Sequence, residues 1–70
     1  MQYFHDRLAA TGDDLTSDFG TYLSVLDMNP RDLQQDDPTH AYDVVLEKVR
    51  AVQDASLRGT MMQTFFNRAS

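Results

Sequence analysis

His40, Asp43 and Glu47 stand at i, i+3 and i+7, so a helix through them projects all three from one face, with Asp36 and Asp37 just ahead of it. Imidazole nitrogen and carboxylate oxygen are ligands for divalent ions, and this is the cluster whose residue types best suit one. Its spacing matches neither His-Glu-x-x-His nor a calcium loop with a central glycine. The same residues also suit a solvated helix start, because acids before the first turn face the positive end of the helix dipole. We adopt that second reading and expect no metal and no cofactor. His5-Asp6 is a base beside an acid near the start of the chain, with no motif placing a Ser, Thr or Cys nucleophile against it. Nothing resembles a nucleophile elbow, a P-loop or a dinucleotide fingerprint. Seventy residues also leave little room to enclose a ligand pocket of ~300 Å³ or more. The expectation is a protein that is not an enzyme.

A second group suggests binding instead. Met61, Met62, Phe65 and Phe66, with Arg58 and Arg68 as a basic rim, form the candidate partner-binding residues. Met and Phe are types that adaptable protein-binding surfaces favour. The competing role for the four apolar residues is to complete a core against Tyr3, Phe4 and Leu8. Met61 and Phe65 lie furthest from the first apolar stripe of their helix, so at least one of them is expected to be exposed.

The elements that position these groups are helical. Asp37-Pro38 reads as an N-cap followed by proline at the first helical position. From there Tyr42, Val45, Val49 and Val52 keep spacings of three and four, and Leu46 widens that face. Past Asp54 the large apolar residues move to an arc roughly 100° away. The expected helix therefore covers 38–68 and is either straight or broken near Gly59, where glycine costs about 1 kcal/mol. Leu15, Phe19, Tyr22, Leu23 and Leu26 predict a second helix over 13–28. Asn29-Pro30 ends it and caps a short turn anchored by Leu33. A first, short helix covers 2–10. No alternating run bounded by turn residues suggests a strand. The expected fold class is all-α, a small helical hairpin or three-helix arrangement in a single domain over 1–70.

Composition narrows the function classes. The chain has no Cys, and its net charge is −5. Residues 1–40 carry eight Asp and two Arg, whereas 41–70 carry three acids and four bases. Such a distribution argues against direct nucleic-acid binding, which draws its affinity from clustered Lys and Arg. No apolar run approaches the ~20 residues that span a bilayer, and no signal peptide is visible, so a cytoplasmic protein without membrane attachment is expected. In plan, the turn from Asn29-Pro30 to Asp37-Pro38 and the helix ending Phe65-Phe66-Asn67-Arg68 resemble the needle subunits of type III secretion systems. Those are small helical hairpins with a Pro- and Asp/Asn-containing turn and a polymerising C-terminal helix, and the resemblance implies self-assembly. The connector here is longer than that family's turn.

Three functions follow. The one that asks for least is a small acidic adaptor, inhibitor or regulator docking on a partner protein through an apolar helix face. The others are a self-assembling structural subunit and an acidic antagonist that mimics nucleic acid.

Overall fold

The computed structural model describes residues 2–12 and 14–67. The class is all-α, with five helices and no strand among the described residues. They are α1 (Gln2–Thr11), α2 (Asp18–Val25), α3 (Pro30–Gln35), α4 (Pro38–Arg50) and α5 (Ala55–Phe66).

Local chemistry fixes most helix starts. Asn29 accepts a bond from the Arg31 N–H and Pro30 opens α3, while the Asp37 carboxylate accepts from the N–H groups of Thr39 and His40 and Pro38 opens α4. Both follow the cap-then-proline pattern. A third carboxylate, Asp54, accepts from the Ser56 and Leu57 N–H groups and starts α5.

That last cap corrects the expectation of a long helix over 38–68. The chain leaves the helix at Ala51, and residues 52–54 lie outside helical structure. Gly59 sits inside α5, so the division falls before it, where Asp54 caps the new helix. Arg58 holds the bend, its Nη1 donating to the Val52 carbonyl at 2.7 Å. A straight helix over those 31 positions would be ~46 Å long at 1.5 Å per residue, whereas the longest extent of the molecule is 29 Å.

The second helix also differs from expectation. It begins at Asp18, capped by Ser17, and ends at Val25, so it is shorter at both ends than 13–28. Residue 13 itself lies outside the described residues. Upstream, the Asp14 carboxylate accepts from both the N–H (2.8 Å) and the hydroxyl (2.6 Å) of Thr16. This local turn competes with helix for the same backbone groups. At the other end Met28 N–H donates to Leu23 O and Asp27 N–H to Ser24 O, the paired bonds of a Schellman stop. Asp27 takes the left-handed position at φ 60° that glycine usually fills.

One core joins the five helices. Phe4, Phe19, Leu23, Val45, Val49, Met61 and Phe65 are fully buried. α5 packs against α1, α2 and α4, and α1 packs against α2, α3 and α5. Ten residues such as α1 make a marginal helix in isolation, and docking stabilises it here. Phe4 stacks on Phe66 with ring centroids 5.5 Å apart, and the Gln34 side chain donates to the Leu8 and Gly12 carbonyls at the end of α1.

Candidate interaction surface

The Met/Phe group does not form a surface. Met61 and Phe65 are both fully buried, Phe66 is nearly so, and Met62 is half-buried against the same core. This overturns the expectation that Met61 or Phe65 is exposed, and the reason is geometric. The bend at 51–54 turns α5 so that its second apolar arc meets α1 and α2. Phe65 meets the Phe19 ring edge-on at 5.0 Å and lies near Tyr22, while Phe66 packs between Phe4 and Tyr42. Arg58 donates to the Val52 carbonyl within its own chain. Arg68 lies outside the described residues.

The His40 cluster is drawn apart as well. The His40 Nδ1 turns back onto the Asp36 carboxylate. That hydrogen bond raises the imidazole pKa and lowers that of Asp36, which also accepts from the Asp37 N–H. Asp43 and Glu47 remain exposed further along α4. Among the described residues no three His, Cys, Asp or Glu side chains converge on a position that could hold a metal ion. His5 lies with Nε2 2.9 Å from the Pro38 carbonyl, so it links α1 to the start of α4.

The exposed large apolar side chains among the described residues are Leu15 and Val25, at 51% and 59% exposure. Leu15, Ser24, Asp27, Met28 and Pro30 line an open groove of about 460 Å³ where α2 passes into α3. The segment 14–17 lies against α2 because Gly20 has no side chain there. A Cβ on Gly20 would sit 2.1 Å from the Asp14 carbonyl oxygen. The Thr21 hydroxyl donates to the Leu15 carbonyl at 3.0 Å, and the Ser17 hydroxyl reaches the Asp14 carbonyl. With its backbone held in this way, Leu15 turns its side chain outward. Val25 is one helical turn beyond Thr21, on the solvent side of α2.

The charged residues of the groove wall are Asp27, which is exposed, and Arg31, while Asp14 precedes Leu15 in the chain. The Thr16 hydroxyl and N–H hold the Asp14 carboxyl below its ordinary pKa, so it stays charged. Asp18 is paired with Arg7 at 2.7 Å, and Arg31 is engaged within the chain.

The amphipathic pattern had put Leu15 in the core, because it extends the Phe19–Leu26 stripe back by one turn. The signal against that reading is Asp14-Leu15-Thr16-Ser17, in which two side chains compete to cap before the helix starts. Val25 lies off that stripe, and no sequence signal singles it out. No helix of the described residues is long and apolar enough to cross a membrane. No protein-family model matches the chain, and comparison with curated proteins and with solved structures finds no similar protein.

Proposed function

We propose that this chain is a non-catalytic protein-binding module, an adaptor, inhibitor or regulator, that acts in the cytoplasm. It docks through an apolar helix face, and that face is the solvent side of α2 with Leu15, not the Met/Phe group of α5. The observation that carries this reading is the exposure of Leu15, which lines the groove, and of Val25 on the solvent side of α2, among described residues whose other large hydrophobic side chains are buried or half-buried. Exposed apolar residues are candidates for docking contacts when they form a contiguous patch. Self-assembly, as the needle-like plan implied, would have to use another face of α5 than Met61 and Phe65, which are enclosed.

The test compares the immobilised chain with the double variant Leu15→Glu/Val25→Glu as bait, with circular dichroism to show that both are folded. A partner held by the parent and released by the variant, then reproduced with purified components, supports the proposal. Partners retained equally by both baits, or turnover of a substrate by the purified chain, would sink it.

A further inference from the structure

We propose that α1 is a detachable strap that opens as a unit while α2 to α5 stay folded. The slot it bares, among Phe19, Tyr42 and Phe66, takes a helix with the pattern of α1 itself, an aromatic residue followed four positions later by leucine. This site is distinct from the α2 face proposed above. The other four helices hold together without α1. α2 packs on α5, α5 on α4 and α4 on α3. Phe65 meets Phe19 at 5.0 Å and Phe66 meets Tyr42 at 4.9 Å between ring centroids, and neither contact needs an atom of α1. Of the twelve buried hydrophobic residues among those described, α1 supplies only Phe4 and Leu8. The connector to α2 begins at Gly12, φ 57°, with no heavy atom within 4 Å of where a Cβ would sit, so the backbone there is free to reorient.

The polar ties of α1 to that body are solvated. Arg7, over the Phe19 ring, pairs with Asp18 at side-chain exposures of 35% and 61%. The His5 bond to the Pro38 carbonyl is exposed, and so is Gln34, which holds the Leu8 and Gly12 carbonyls. Exposed ion pairs and hydrogen bonds of this kind add little. A cleft of about 210 Å³ also separates α1 from the α3–α4 corner, with Leu8 and Ala9 on one side and Leu33 and Pro38 on the other, so that seam is not closely packed. What holds α1 is the Phe4 ring, 5.5–5.8 Å from those of Phe66, Tyr42 and Phe19, with Leu8 one turn on. α1 thus shows what the slot accepts, one ring among three and a leucine at i+4 on the same helical face. A ten-residue helix is marginal once undocked. Elements with few buried side chains are those that open below the global transition.

Native-state amide exchange of the full chain, followed by NMR at a series of low urea concentrations, tests the opening. Amides of residues 6–11 should exchange at least ~10-fold faster than those of residues 45–49. Their rates should also depend less steeply on urea, because opening α1 exposes less surface than unfolding the whole chain. A labelled peptide with the sequence of residues 2–12 then probes the slot. Phe4→Ala in the chain weakens the resident occupant and leaves the slot's own residues in place. The peptide should therefore bind this variant at least ~10-fold more tightly than the parent chain, since apparent affinity scales with the open fraction. A peptide carrying the same Phe4→Ala change should not saturate either chain by ~1 mM, having lost the ring that anchors it.

Exchange of α1 and α4 in one step, with equal rates and equal urea dependence, would overturn the inference. So would a Phe4→Ala chain that circular dichroism shows to be unfolded, because α2 to α5 must stand without the Phe4 ring. A folded Phe4→Ala chain that binds the peptide no better than the parent would overturn it as well.

Discussion

Gly20→Ala is expected to destabilise this protein, although glycine to alanine inside a helix ordinarily adds about 1 kcal/mol. The new methyl carbon would lie 2.1 Å from the Asp14 carbonyl oxygen and 3.0 Å from the Leu15 Cα, both of them backbone atoms that cannot rotate away. Segment 14–17 must move outward, and overpacking of this kind costs about 1–3 kcal/mol. The movement also strains the Thr21 hydroxyl bond to Leu15 O and the Ser17 hydroxyl bond to Asp14 O, each worth about 1 kcal/mol. Set against the helix gain, the net loss is about 2–4 kcal/mol if both bonds are lost. For a domain of this size that lowers Tm by about 4–8 °C for each kcal/mol. Urea and thermal unfolding by far-UV circular dichroism measure it, with Ser24→Ala as the control. Ser24 is exposed in the same helix, and alanine there should be neutral or stabilise by a few tenths of a kcal/mol. A Gly20→Ala protein as stable as the parent would refute the close approach of segment 14–17 to α2, and with it the geometry that holds Leu15 outward.

Other perturbations test the remaining joints. Phe65→Ala should cost about 3–5 kcal/mol, a large part of the ~4–10 kcal/mol expected for a 70-residue domain, and urea titration would show it; a loss below ~1 kcal/mol would return Phe65 to the surface. Gln34→Ala removes both bonds to the Leu8 and Gly12 carbonyls, so α1 amides should exchange with solvent ~10-fold faster while those of α4 change little. The His40–Asp36 pair sets a pH dependence whose sign follows from its shifts. His40 is raised above 6.5, so its contribution is complete below that value and is lost as pH rises through the higher folded pKa. Asp36 is lowered below 3.8, so its contribution is complete above that value and is lost as pH falls through the lower folded pKa. Both side chains are solvated, and the effect is small. Urea midpoints should decline from pH 6 to pH 8 in the parent, and His40→Ala should remove the part of the decline that belongs to the pair.

The parts of the fold legible in the sequence are those fixed by chemistry within a few residues. Asn29-Pro30 and Asp37-Pro38 start helices because a side-chain acceptor and a pre-set φ act locally, whatever the rest of the chain does. The stripe Val45, Val49 was readable for a similar reason, since it needs only a helical period and an apolar partner. The division of the long segment was half legible. The pattern change past Asp54 was visible, but glycine's helix cost pointed to Gly59, while the structure breaks where a carboxylate caps two N–H groups. A cap rewards a break, whereas one glycine only weakens a helix, and the reward decided it. The exposure expected of Met61 or Phe65 fails because their burial depends on contacts between distant segments. Burial of Phe65 needs Phe19 and Tyr22, more than 40 positions earlier, and no periodicity within 55–66 encodes that.

The same bend explains why the exposed apolar residues are found on α2. A straight helix over 38–68 would present two apolar arcs to two different partners, and one of them would have to come from outside the fold. Capping by Asp54 and the Arg58 bond to Val52 turn α5 back across α1 and α2, and both arcs are then covered internally. Phe4, Phe19 and Tyr22 become the partners that a second molecule would otherwise supply. Covering α5 uses the inner side of α2, so Phe19 and Leu23 point inward and Val25 is left on the outer side. Segment 14–17, held by its own side-chain turn, cannot extend the helix and carry Leu15 under it. The apolar surface that remains is therefore a product of how the core closes.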